Sequence, residues 1–329
     1  MKIGKVSQTV LKRSMIKPLK FHRTESIFPV SVEEMCYGIR AEEDEEILMT
    51  DVALGGNDKE LGVFALAHVS NHLATRGAKT IGVSVRILLP PYAYESRLKT
   101  MMEHMEHASS SRGIQVLSAK AEVSAAVSQG IVMMQAVGVA KKGRIPNSSG
   151  AKANQDLVLL GTVGLEGALR ILNEKEEALS KRFVYGFLQQ LKQKQGQLFA
   201  NEAIEEALAF GAAALHQATD GGILAALWEL GEASDVGMEI SMKQMSIFQE
   251  TVEICEYYHL NPYQLTSAGC VLIATERGEE LVEQLQQKGY VASLLGKLTA
   301  DKARVILGSE ERRFLDRPAP DELLKIYEK

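Results

Sequence analysis

The stretch from Leu61 to Pro91, LGVFALAHVSNHLATRGAKTIGVSVRILLPP, limits the possible folds more than any other part of the chain. In its first half Leu61, Phe64, Ala65, Leu66, Val69 and Leu73 recur at helical spacing. Apolar residues fall on more than one side, so this helix is expected to be buried rather than half-solvated. Gly77 supplies the left-handed residue that ends it. From Ile81 the period becomes two, with Ile81, Val83, Val85, Ile87 and Leu89 on one face, until Pro90-Pro91 stop the strand. Into the apolar helix the sequence drops His68, Asn71 and His72. An unpaired buried polar group costs about 1–3 kcal/mol. These side chains must therefore be hydrogen-bonded inside the fold, or else face a ligand cavity.

With 329 residues the chain exceeds one ordinary domain, and two are expected. A net charge of −5 leaves no basic footprint for nucleic acid. No run approaches the roughly 20 apolar residues of a membrane span. The basic N-terminal segment (Lys2, Lys5, Lys12, Arg13, Lys17, Lys20) lacks the apolar core of a signal peptide. Cys36, Cys255 and Cys270 are scattered and odd in number, which argues against a disulfide frame or zinc cage and for a reducing, cytoplasmic setting.

Taken in order, residues 1–24 read as a basic arm whose Leu11, Met15 and Leu19 share a docking face. An acidic turn leads to a strand at Ile47–Met49 that ends at Thr50-Asp51. After the Leu61–Pro91 stretch come a helix over 95–112, a short strand Ile114–Leu117, a loop SAKAE (118–122) and a strand from Gly130 to Ala140. The segment from Lys141 to Gly150 is the best linker, dividing a front domain (25–146) from a second domain (147–329). In the second domain the strands DLVLL (156–160), AAAL, MEIS, CVLIAT (270–275) and YVASLLGKL (290–298) alternate with helices, which predicts an α/β domain with helices layered on a sheet.

Several groupings carry possible chemistry. Thr219-Asp220-Gly221-Gly222 lies between a strand and a helix, so it reads either as an anion seat at a helix N-terminus or as a simple cap on Thr219 or Asp220. GTVGLEG (161–167) has the same two readings, with close packing of a turn the simpler. His68 and His72 have metal-ligand spacing, but HVSNH lacks the glutamate of the zinc-protease pattern. His104 and His107 read as a solvated helix face. Asp51 and Glu122 are candidate ligands for a hard cation such as magnesium.

The blocks NSSGAK (147–152), GLEGALRIL (164–172), ATDGGILAALWELGEASDVGMEI (218–240), ETVEICEYYHLNPYQLTSAG (250–269) and APDEL (319–323) together resemble the PurM-like ATP-dependent enzymes. The resemblance is closest to the AIR synthase-related proteins grouped with the hydrogenase maturation factor HypE. In the front half LMTDVALGG (48–56) and VSNHLATRGAKTIGVSVRILLPP (69–91) are similar to the family's strand-plus-aspartate and Asn-Asp-helix segments. The resemblance implies a homodimer of two-domain subunits, paired through their N-terminal sheets, that binds ATP and magnesium and acts on a small molecule. Position by position, it implies metal-binding roles for Asp51, Glu34 and Glu122, a nucleotide role for Asn71, and a phosphate-side role for Thr219, Gly221 and Gly222.

The departures are as specific as the matches. The family's Gly-x-Gly-Glu-Asp-Ala loop stands here as VSVEEMC (30–36), and His72 replaces the aspartate of the Asn-Asp pair. SAKAE replaces the Gly-Gly-His-Thr-Glu loop, leaving Lys120 where the chemistry normally acts. The chain closes on IYEK, without the terminal cysteine of HypE, so HypE's reaction by that route is not expected. Magnesium needs several hard oxygen ligands with little tolerance, and bulky residues in place of loop glycines hinder backbone approach to phosphate. A well-patterned scaffold with a rewritten front site points either to altered ATP use or to a non-catalytic binding protein.

Overall fold

A computed structural model describes residues 4–5, 8–26, 39, 41–143, 145–308 and 312–327. The chain divides into two compact units, residues 1–145 and 146–329.

The first unit contains β1 (Gly4–Lys5), α1 (Gln8–Leu11), β2 (Glu45–Gly56), α2 (Leu61–Ala74), β3 (Lys79–Leu89), α3 (Glu95–Ser110), β4 (Gln115–Val123) and β5 (Gly130–Lys141). Its five strands form one sheet in the order β1-β4-β3-β5-β2, with β3 and β4 parallel and the other pairs antiparallel. Helix α2 packs against β2, β3, β5 and α3, and every one of its residues except His72 is buried. The Leu61–Pro91 expectation is met. Side chains such as Phe64, Leu66 and Val69 are fully enclosed, each contributing about 1.5–3 kcal/mol by leaving water. Gly77 (φ 68°) closes the turn after α2. After α1 the arm continues as a π-helical turn, Lys12–Ile16, and Leu11, Met15 and Leu19 are buried as expected.

Two local expectations are overturned. β2 does not stop at Asp51 but runs on to Gly56, because its whole length pairs with β5, from Glu45↔Lys141 to Gly56↔Gly130. SAKAE is not a loop. Residues 115–123 are one strand, laddered to β3 from Gly82↔Gln115 to Leu89↔Val123. Ser118, Ala119, Lys120, Ala121 and Glu122 alternate in burial with period two, and Ala119 and Ala121 are small enough to sit under the helices.

The second unit contains β6 (Asp156–Leu160), α4 (Leu165–Glu174), α5 (Glu176–Arg182), α6 (Tyr185–Gln193), α7 (Asn201–Phe210), β7 (Ala214–Gln217), α8 (Gly222–Ser234), β8 (Gly237–Ser241), α9 (Gln249–Tyr257), β9 (Val271–Thr275), α10 (Gly278–Gln287), β10 (Ala292–Thr299), β11 (Arg304–Leu307) and β12 (Arg312–Phe314). The sheet order is β12-β11-β8-β10-β6-β9-β7, with only β11 and β8 parallel. β6 and β9 are buried on both faces. On one face Leu157, Leu159, Leu272 and Ala274 share a core with Ile223, Leu227 and Leu230 of α8. Val158 and Ile273, on the other face, are equally buried. This is the layered helices-on-sheet arrangement that the alternating pattern predicts.

GTVGLEG is a close-packed turn. A Cβ at Gly161 (φ 87°) would stand 2.2 Å from the carbonyl oxygen of Gly269, and one at Gly167 would stand 2.2 Å from Leu265 Cγ. Gly161→Ala would therefore meet both a left-handed backbone and a backbone clash, and a loss of about 2–4 kcal/mol is expected. Thermal unfolding of the variant checks this, and an unchanged melting temperature would refute the packing account.

Candidate functional site

In the first unit the candidate residues fall on two opposite faces of the sheet. Asn71 is completely buried and His72 half-buried at the C-terminal end of α2. His72 Nδ1 lies 3.5 Å from Thr50 Oγ1 on β2, so the helix turn and the strand segment meet here. His68 and His72 form an edge-to-face pair with ring centroids 6.3 Å apart. These histidines are packed core and cleft residues. Among the described residues no cluster of three His, Cys, Asp or Glu side chains has metal-binding geometry.

Asp51 is the next residue along β2, and strand alternation sends it to the opposite, outward face. Ladder register places Asp51, Gln135, Ser84 and Ser118 in one row across that face. The row Ala53, Met133, Arg86 and Lys120 follows, and then Gly55, Ile131, Leu88 and Glu122. Lys120 and Glu122 are thus neighbours on β4. Asp51 stands three strand spacings away, about 14 Å across the sheet, and one and two rows short of them along the strands. One chain therefore brings together Asn71 with His72, and Lys120 with Glu122, but not Asp51 with Glu122 or with Asn71. Glu34 lies outside the described residues. The described oxygen ligands of a single chain do not fit a magnesium cage, which needs several oxygens around one point.

His104 departs from a purely solvated reading, because its Nδ1 contacts Glu60 Oε1 at 2.5 Å. His107 is exposed as expected.

In the second unit the Thr219–Gly222 turn is capped by neither Thr219 nor Asp220. Gly221 itself holds the cap position of α8 in a left-handed conformation (φ 77°). Its amide donates to Asp321 Oδ2 at 2.8 Å, and Asp321 Oδ1 accepts from the Leu323 amide at 2.8 Å. The seat that could take a foreign anion is thus filled by an acid of the chain itself. Gly222 is required for packing, since a Cβ there would meet Tyr263 O at 2.6 Å. Beside the turn a cavity of about 180 Å³ is lined by Gly221, Asn261, Gln264, Arg313 and Arg317. Burial pushes the Asp321 carboxyl up to about 6, helped by the nearby Glu166 and Asp220 charges and opposed by its two backbone donors.

Glu166 was not singled out by spacing, yet it organises this region. It is fully buried. Its Oε2 accepts from Thr266 Oγ1 at 2.7 Å and from the Ala268 amide at 3.0 Å, while Oε1 lies 3.4 Å from Arg170 Nη1. The i,i+4 spacing of Glu166 and Arg170 inside the apolar run GLEGALRIL was the available signal. In the sequence Asp321 stands out only as part of the APDEL block. Burial pushes the Cys255 and Cys270 thiols up to about 12, so both are chemically quiet.

An α/β chain of two units, each a helix-covered sheet, with the Asn-containing helix turn beside a TD strand, defines a PurM-like protein. Residues 152–308 match the AIR synthase related protein, C-terminal domain family. A Methanocaldococcus jannaschii protein of the hydrogenase expression/formation type is 24% identical, over 98% of this chain and 97% of its own length. Carbamoyl dehydratase HypE of Escherichia coli is 27% identical over 83% of this chain and 80% of that protein. Among solved structures, E. coli HypE matches with a TM-score of 0.76 at 21% identity, covering 97% of this chain and 100% of that one. A HypE in complex with ATP matches with a TM-score of 0.74 at 15% identity over 96% of each chain. The family-model match over the second unit, the HypE relatives and the HypE structures together support a PurM-like, HypE-like member of the AIR synthase-related proteins.

No helix among the described residues is long and apolar enough to cross a membrane.

The raised Asp321 carboxyl gives a pH prediction. Its folded value lies above the usual aspartate range, so its favourable contribution is complete below about pH 4 and is lost as pH rises through about 6. Relative to Asp321→Asn, the wild type should lose stability between these limits, by up to about 2–3 kcal/mol. Paired thermal melts from pH 4 to 7 check this. A constant difference would place the carboxyl at an ordinary pKa.

Proposed function

We propose that the protein is a nucleotide-binding PurM-like dimer that uses ATP to activate or phosphorylate a small, carbamoyl-bearing or ribonucleotide-like metabolite. The observation that carries this reading is the contact between His72 Nδ1 and Thr50 Oγ1. It joins the two segments, Asn71-His72 and Thr50-Asp51, that the family resemblance assigns to nucleotide and cation. The ATP complex of a structurally similar HypE supports the nucleotide. In this reading Asn71 orients the nucleotide. Lys120 takes a phosphate or substrate anion on the outer sheet face, with Glu122 beside it. Thr219, Gly221 and Gly222 serve the second unit's turn. Magnesium arrives with the triphosphate.

The same outer face supports pairing of two copies. It exposes Ile47 and Met49, with half-buried Val139, Met133 and Ile131 on the neighbouring strand β5. Exposed apolar side chains on an open sheet face are suited to an interaction surface.

A second reading, a binding protein without catalysis, is favoured by the orientation of Asp51 away from Asn71-His72 and by Asp321 holding the Gly221 amide.

Calorimetric titration with ATP, with and without magnesium, separates the readings. Heat at micromolar to low-millimolar ATP supports the first, and neither heat nor thermal shift removes it. His72→Asp, which restores the family's pair, should tighten the magnesium-dependent part of binding about tenfold, worth roughly 1.4 kcal/mol. ATP turnover that vanishes in Asp51→Ala would end the second reading. By sedimentation, wild type should be a dimer and Ile47→Lys/Met49→Lys a monomer. A monomeric wild type would overturn the pairing.

A further inference from the structure

At the edge of the second unit's sheet, three side chains far apart in sequence form one line of hydrogen bonds. Ser148 stands in the short turn Ser148–Gly150, His216 on the edge strand β7 and Glu229 on α8. Ser148 Oγ lies 3.1 Å from His216 Nδ1, and His216 Nε2 lies 2.8 Å from Glu229 Oε2. The fold holds each member in place. Strand alternation puts His216 on the same face as Ala214, which shares a core with Ala226 and Leu230 of α8. Ser234 Oγ, at the end of α8, donates to the Ser148 carbonyl at 2.6 Å and ties the turn to that helix. Gly150 lets the turn close on the start of β7, since a Cβ there would stand 2.4 Å from the Ala213 carbonyl oxygen.

The second hydrogen bond decides what the first can do. A carboxylate only accepts, so Nε2 carries the hydrogen of the neutral imidazole. Nδ1 then offers its lone pair to Ser148, and the hydroxyl is the donor. The Leu215 carbonyl, 3.5 Å from Ser148 Oγ, is the poorer acceptor. An acid that fixes the tautomer, a base and a hydroxyl therefore stand in the order that activates a serine, with the two ring nitrogens exchanging their usual roles. The His216 side chain is 20% exposed, and Ser148 is half-buried between exposed Asn147 and Ser149, so the line ends at the surface. Asn147 Oδ1 accepts from the Ser149 amide at 3.0 Å and from Ser149 Oγ at 2.6 Å. A backbone amide can only donate, which fixes the orientation of the Asn147 side chain and leaves Nδ2 to donate elsewhere.

We propose that Ser148, His216 and Glu229 form a second reactive site, an esterase centre for small, unhindered acyl esters. Ser148 Oγ attacks the ester carbonyl carbon while its proton passes to His216 Nδ1. The imidazolium, held by Glu229, returns that proton to the leaving oxygen as the C–O bond breaks. Water then gives a proton to Nδ1 and attacks the acyl-serine, releasing the carboxylic acid and restoring the hydroxyl. Asn147 Nδ2 is the donor placed next to the serine for the developing oxyanion. With a single side-chain donor in that role, esters with good leaving groups suit the site better than amides. The proposal is independent of the nucleotide reading.

Two probes on the full chain test it, p-nitrophenyl acetate and a fluorophosphonate. The fluorophosphonate should lose fluoride to Ser148, as peptide mass spectrometry would show, and should stop release of p-nitrophenolate. Ser148→Ala should abolish both. His216→Gln should lower kcat about 100-fold, and Asn147→Asp, which keeps the acceptor of the turn and removes the donor, at least about tenfold. Glu229 is a positioning residue, so Glu229→Gln should lower kcat at least about tenfold with KM unchanged. A purely structural latch would instead lower the melting temperature of these variants with no modification of Ser148 in the wild type. Should His216→Gln unfold, Ser148→Ala, which removes only one hydroxyl, still decides the matter. An unmodified Ser148, or equal hydrolysis by wild type and Ser148→Ala, would overturn the proposal.

Discussion

The first unit depends on one constraint, that α2 lies almost wholly out of water while carrying polar side chains at its C-terminal end. Its apolar residues tie the helix to β2, β3, β5 and α3. That burial leaves Asn71 and His72 little freedom, because a buried polar group must meet a partner at a fixed place. The His72–Thr50 contact is one result. It brings the helix turn against the middle of an edge strand and so sets where any ligand chemistry in this unit can begin.

The second unit answers the same demand in a different way. Glu166 is a carboxylate with no access to water, satisfied by a hydroxyl, an amide and a guanidinium. Such a group contributes less to net stability than to uniqueness, since displacing any one partner would strand a buried charge. The glycines at 161, 164 and 222 let the turns around it approach backbone to backbone, at distances a side chain would not permit, and Gly167 leaves room for the Leu265 side chain. The Gly221 turn is drawn into this arrangement by Asp321, one hundred residues further along the chain.

Divergence from the family's pattern has a structural expression. Where the resemblance implies a Gly-Gly-His-Thr-Glu loop, residues 115–123 form a laddered strand. Lys120 and Glu122 are thereby held on a rigid outer face beside apolar side chains of β3 and β5. Small residues at 119 and 121 let that strand lie under the helices, so the replaced residues are consistent with one another as a strand even though they no longer form the family's loop.

Much of this was legible in the sequence. Long periodic runs identify α2, β3, α3, β5 and the strands and helices of the second unit, because burial imposes a period of 3.6 or 2 on any element that packs. The glycine turn of GTVGLEG and the docking face of the arm were also readable from local pattern. The reach of β2 and the strand character of SAKAE were not, since edge pairing is decided by a partner far away in the sequence. Nor was the place of Asp51. In a strand, one residue separates the core face from the solvent face, and only the β2–β5 register shows that Thr50 turns toward α2 and Asp51 away. Likewise nothing near Gly221 names Asp321 as its partner. Residue type and spacing by themselves determined the elements and the family frame. Register, and contacts between distant segments, could be decided only by the tertiary structure, because they arise from which faces come to oppose one another.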